Sequence, residues 1–98
     1  MTGQLSRLVE AGIQLLPVDG VTSHFVFERD GFVALVERKG EAFGGIGTPG
    51  LLTEHGIAML IWRGGKAFFV AKGHEQAAAD AQVEAIRKFS ADLTRALS

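Results

Sequence analysis

Three histidines, His24, His55 and His74, are the residues best suited by type to acid–base or metal chemistry, and Glu54 and Glu75 adjoin two of them. A zinc site on a helix needs paired ligands at i, i+4 spacing, and no two of these histidines stand so. Each falls at the end of an expected element. His55 suits the negative end of a short helix, His74 is expected to be solvated, and His24 is placed opposite Glu37 across a hairpin. No metal site is expected from them.

Gly45-Ile46-Gly47-Thr48-Pro49-Gly50 matches G-x-G-x-x-G ahead of a short expected helix. A dinucleotide fingerprint also needs a parallel βαβ unit and an acidic residue about twenty positions on. Here a hairpin follows, and Pro49 removes one of the N–H groups that hold phosphate. Ser6, Ser23, Ser90 and Ser98 lack a nucleophile-elbow context, and no cysteine is present. No carboxylate pair stands in an apolar setting that suggests a raised pKa. The reading is therefore no catalytic residue and no cofactor. Should the segment from Gly40 to Gly56 cover a pocket, Gly45, Gly47, Thr48 and His55 are its candidate binding residues.

Composition narrows the classes further. Ninety-eight residues, 47% hydrophobic and 21% charged, make one domain over 1–98, and disorder is excluded for most of it. A formal charge of −1 offers no electrostatic reason for nucleic acid or anionic lipid as a partner. The longest apolar run is far short of the roughly 18 residues that span a bilayer. Met1-Thr2-Gly3-Gln4 lacks the pattern of a signal peptide, so a cytoplasmic protein without a membrane segment is the expectation.

The elements that must position any site follow from spacing. Leu5, Leu8, Val9, Gly12, Ile13 and Leu16 predict a helix from about Thr2 to Leu15, with Thr2 as N-cap and Pro17 as its stop. Pro17-Val18-Asp19-Gly20 reads as a turn. Two hairpins follow, Phe25–Arg38 turning at Asp30-Gly31 and Ile57–Lys72 turning at Gly64-Gly65. Between them, 41–46 has the makings of a weak third strand. Thr48, Pro49 and Gly56 read as cap, first turn and stop of a two-turn helix over 49–55. Val83, Ile86, Phe89, Leu93 and Leu97 predict a final helix over Asp80 to Leu97. The fold class is α+β: a two-layer sandwich of α-β-β-(β)-α-β-β-α order, with an antiparallel sheet of four or five strands and the terminal helices on one face.

Ile57-Ala58-Met59-Leu60-Ile61-Trp62 carries no polar residue, although a sheet covered on one side should alternate. Phe27–Val36 aligns without gaps on Ile61–Val70, with three of ten positions identical, and parity then assigns the faces. By that alignment Phe25, Phe27, Phe32, Ala34, Val36, Ile57, Met59, Ile61, Phe68 and Val70 lie beneath the helices. Leu60, Trp62 and Phe69, with Val33 and Leu35, fall on the other face. Two helices cannot cover both, so these five residues are the expected interface of a homodimer. The competing reading folds the 49–55 segment back over them.

Leu15–Ala34, with its V-D-G-V turn and R-D-G hairpin, resembles the start of roadblock-type dynein light-chain domains, which are small α/β dimerisation modules. The remainder departs, because the expected central helix is too short and comes too late. The element order with a third strand is similar in topology to type III secretion chaperones, which are dimeric binders. Both resemblances imply an interaction role, and neither supplies a site residue. The expectation is a non-enzymatic protein-binding domain, homodimeric through an apolar sheet face. The alternative is a small-ligand binder or modest enzyme with its pocket under the segment 40–56.

Overall fold

A computed structural model of the chain describes residues 2–17, 23–54 and 56–98. Its elements run α1 (Thr2–Glu10), β1 (Gln14–Leu15), β2 (His24–Arg29), β3 (Phe32–Lys39), β4 (Ala42–Ile46), β5 (Gly50–Thr53), β6 (Gly56–Arg63), β7 (Lys66–Ala71), β8 (His74–Ala77) and α2 (Asp80–Leu97). The α+β class with an antiparallel sheet and two helices holds. The described residues form eight strands instead of four or five, and the order differs from the expected one.

The first helix ends five residues earlier than its periodicity suggests. Gly12 takes a left-handed φ of 74°, its N–H bonds to the Val9 carbonyl, and the Ile13 N–H bonds to the Leu8 carbonyl at 2.9 Å. This is a Schellman stop, in which the apolar pair Leu8 and Ile13 closes over the helix end. Both are buried. Gly12 therefore ends the helix ahead of Pro17, and Gln14–Leu15 is free to pair with β2 as a short edge strand.

Every strand pairing is antiparallel, in the order β1-β2-β3-β5-β6-β7-β8, with β4 also on β3. β4 and β5 act as one interrupted strand along the same edge of β3. Val36 pairs with Ile46, the Gly47 N–H donates to the Leu35 carbonyl at 2.8 Å, and Val33 pairs with Gly50. The third strand expected over 41–46 is present as β4. The helix expected over 49–55 is absent: 50–53 is strand β5, and His55 lies outside the described residues. So do 18–20 of the expected Pro17–Gly20 turn. The β5–β6 ladder stops at Gly50↔Met59, because the residue before β5, Pro49, has no N–H to donate.

Tight turns are built from residues that tolerate positive φ. Asp30 and Gly31 (55° and 87°) and Gly64 and Gly65 (59° and 79°) form the two expected two-residue turns. Lys72 and Gly73 (42° and 81°) form a further one that turns β7 into β8.

The second layer is α2 with α1 beside it. α2 presents Val83, Ile86, Phe89 and Leu93 as a buried stripe, as the sequence predicts, and the stripe ends on Ala96, with the expected Leu97 only partly buried. At its start the Gln82 side chain accepts a 2.8 Å bond from the Ala79 N–H. Its C-terminal carbonyls have no partner within the helix, and α1 supplies them. Gln4 Nε2 donates to the Leu97 carbonyl at 2.8 Å and Arg7 Nε to the Ala96 carbonyl at 3.0 Å. The layers are fastened where α1, β2 and α2 meet. Arg29 donates to Asp92 at 2.9 Å and to the Ala11 carbonyl at 3.0 Å, with its guanidinium 5.7 Å from the Phe89 ring centre. The Arg29 hydrogen bond holds the Asp92 carboxyl below its ordinary pKa, against the opposing effect of burial.

Candidate functional site

Register decides which side chains meet the helices. Phe32, Leu51 and Ala58 form one cross-strand row, and Val33, Gly50, Met59 and Val70 form the next. Directly paired residues share a face. The helix side therefore carries Phe25, Phe27, Phe32, Ala34 and Val36, as expected for the first hairpin, but Ala58, Leu60, Trp62, Ala67, Phe69 and Ala71 of the second. Core burial agrees: Phe27, Ala34, Val36, Ala58, Phe69 and Ala71 pack with Ile86, Phe89 and Leu93 in one cluster.

The face assignment of the second hairpin is thus corrected. Both hairpins turn as expected, so parity within each is right. Their relative phase is set by β5, which stands where a helix was expected, and β5 places Met59 on the face of Val33. Leu60 and Phe69 lie in the helix-side layer, Phe69 only 2% exposed and Leu60 packed against the core. Trp62 is also on the helix side, at its margin, and 54% exposed. Val33 and Leu35 do lie on the opposite face, Val33 fully buried and Leu35 partly exposed. The five expected interface residues are divided between the two faces.

The face turned from the helices presents Ile57, Met59 and Ile61 of β6 and Phe68 and Val70 of β7, all partly exposed. Leu35 and Leu52 flank them, Leu52 45% exposed. These residues stand apart from the helix-side cluster. Charge is confined to the margin of this face. Glu28 and Glu37 stand on the β2–β3 side, Arg63 and Lys66 at the tip of the β6–β7 hairpin, and Glu75 on the edge strand β8 opposite Val70. Arg63 lies 5.6 Å from the Phe68 ring centre and pairs with Glu75 at 2.8 Å. An apolar centre with a polar rim is the anatomy of a contact surface.

The residues suited to chemistry are not gathered. His24 is on β2, next to the first edge of the sheet, with Nδ1 2.8 Å from Ser23 Oγ and Glu37 opposite in register. His74 is on β8, at the far edge. It lines a cleft of about 430 Å³ with Thr53, Glu54, Ala58, Phe69 and Gln76. Among the described residues no group of three or more His, Asp or Glu is placed to hold a metal ion. Gly45 is in β4, Gly47 is tied to β3 and Thr48 is exposed at the kink between β4 and β5. No helix N-terminus follows them to receive a phosphate, and the 40–56 segment belongs largely to the sheet it was expected to roof.

A larger cleft, about 660 Å³, lies between the β6–β7 hairpin tip and the first half of α2. Among the described residues no helix is long and apolar enough to cross a membrane. No protein-family model, no curated protein and no solved structure matches the chain.

Proposed function

We propose that this chain is a non-enzymatic interaction domain that pairs with a second copy of itself through the sheet face turned away from its helices. The observation that carries this reading is the run Ile57, Met59, Ile61, Phe68 and Val70, partly exposed on a face to which neither helix contributes. At strand spacings of about 4.8 Å and rises of about 3.3 Å per residue, the apolar part of the face, from β5 to β7, covers roughly 300 Å². Apolar patches of that size on a single chain are commonly functional.

A second copy is the occupant that fits the charges. The acidic margin (Glu28, Glu37) and the basic tip (Arg63, Lys66) lie on opposite sides of the apolar centre, with Glu75 on the side of the tip and paired to Arg63. A two-fold axis along the strands sets the basic tip of one copy over the acidic margin of the other. Gly50, midway between them, has no side chain to hold the sheets beyond the ~10 Å spacing of packed sheets. A patch of this size belongs to the smaller, reversible class of interfaces, so dissociation in the micromolar range is expected. Sedimentation velocity at about 50 µM tests it, a concentration well above such a constant. The wild type should sediment at about 21 kDa, twice the 10.4 kDa of one chain. Ile61→Lys should sediment as a folded monomer. A monomeric wild type, or an Ile61→Lys dimer, defeats the reading.

A further inference from the structure

Trp62 is the single tryptophan of the chain, and it stands outside the proposed dimer face. It forms one wall of the 660 Å³ cleft, a volume within the ordinary range of small-molecule sites. The floor carries the methyl groups of Ala67, Ala77 and Ala78, with Phe68 and Lys66 at its border. Ala67 lies opposite Trp62 in register, and Ala78 extends the row, bonding its N–H to the Ala67 carbonyl at 3.0 Å. The facing wall is one stripe of α2, Asp80, Val83, Glu84 and Arg87, at i, i+3, i+4 and i+7. Arg87 reaches back across the cleft, its guanidinium carbon 5.8 Å from the Trp62 ring centre.

We propose that this cleft binds a flat nitrogen heterocycle bearing an exocyclic amino group, stacked between the Trp62 indole and the Arg87 guanidinium. A planar ring held between two planar groups needs about 7 Å between them, two contact distances of ~3.5 Å. The observed 5.8 Å is short of that by the kind of shift a mobile side chain makes. Arg87 is 63% exposed, and its ion pair with Glu84 is a loose 3.7 Å. The guanidinium already supplies a cation to the indole face, which favours a π-system as the third layer over a second cation. Ionised Asp80 and Glu84 are acceptors only, so they select a ligand edge that donates, as an amino group does. The alanines of the floor leave room for a flat body beside Trp62.

The lone indole reports on its own site. With adenine as probe, wild-type protein should show saturable quenching of Trp62 fluorescence, half-complete at about 1 mM or below. Cyclohexylamine, an amino-bearing ring that is not flat, should leave the emission unchanged. Arg87→Ala and Arg87→Gln, both at an exposed position and checked by circular dichroism, should weaken adenine binding about fivefold or more. Arg95→Ala, at the other end of α2 and 80% exposed, should bind as wild type does. Non-saturable quenching, an equal response to cyclohexylamine, or undiminished binding by both Arg87 variants each overturns the proposal. The dimer reading is tested separately, by sedimentation of the wild type and Ile61→Lys without adenine, because Lys66 and Phe68 border both surfaces while Trp62 and Arg87 lie outside the dimer face.

Discussion

Phe68 and Phe69 are neighbours in sequence that lie on opposite faces of the sheet, and replacing each by alanine measures the face assignment directly. Phe69 is 2% exposed, opposite Leu60 on β6 and within the cluster that holds Ile86 and Phe89. Cutting its ring back to a methyl forfeits about 2 kcal/mol of transfer free energy. A residual cavity of ~100 Å³, at ~24 cal/mol per Å³, removes about 2 kcal/mol more. The sum, about 4 kcal/mol, is a large fraction of the roughly 5–15 kcal/mol that holds a domain of this size. At about 4–8 °C per kcal/mol, the melting temperature should fall by at least ~15 °C. Phe68 stacks beneath Arg63 on the other face and leaves no enclosed void when truncated, so its loss should cost about 1 kcal/mol or less. The assay is urea denaturation followed by far-UV circular dichroism at about 1 µM, low enough that association does not add to stability. Equal losses for the two variants, or a larger one for Phe68→Ala, would refute the register on which the rest depends.

Two further outcomes follow from single contacts. A Cβ at Gly50 meets the Ala58 carbonyl oxygen at 2.5 Å, so Gly50→Ala must push β5 off β6. A thermal melt should show it destabilised by about 2 kcal/mol or more. The depressed pKa of Asp92, caused by the Arg29 hydrogen bond, means the folded state holds this carboxylate ionised more firmly than the unfolded state. Its contribution is present above the unfolded-state pKa and is lost as pH falls through the folded-state value, that is, below about pH 4. Asp92→Asn should therefore lower the urea midpoint at neutral pH and converge on wild type in acid, and a gap that is constant with pH contradicts this.

What the sequence disclosed was whatever local spacing decides. Helix α2 was legible to its ends because Val83, Ile86, Phe89 and Leu93 repeat at helical intervals with charges between them. The Asp30-Gly31 and Gly64-Gly65 turns were legible because few dipeptides accept two positive φ angles. The 49–55 segment was not, because Thr48, Pro49 and Gly56 satisfy helix-capping rules that a kinked strand satisfies equally well. Pairing with Val33 and Met59, distant in sequence, settles its conformation. β8 was missed because His74-Glu75-Gln76-Ala77 has no apolar alternation and Lys72-Gly73 is a weak turn signal.

That one sheet face lacks a helix was legible, and which residues line it was not. The apolar strand Ile57–Trp62 places apolar side chains on both faces of the sheet, and one of those faces is without a helix. Which residues occupy that face depends on the phase between the two hairpins, and one strand carries that phase. The gap-free alignment of the two hairpins places Leu60, Trp62 and Phe69 on that face, whereas pairing through β5 places Met59, Ile61 and Phe68 there, one position along each strand. The Trp62–Arg87 cleft had no signal in the chain, because it arises only when α2 is laid across the hairpin tip.

Met59 lies at the centre of the proposed contact face, and the only other methionine is Met1. Hydroxyl-radical labelling of Met59 along a dilution series, referenced to Met1 in the same sample, therefore reads the burial of that face in solution. The sheet-face dimer predicts that Met59 is oxidised slowly at about 50 µM and several-fold faster at about 0.5 µM, as mass action releases the interface. Oxidation of Met59 at one rate across the series, alongside a sedimenting mass of two chains at the upper end, would place the contact elsewhere and contradict the account.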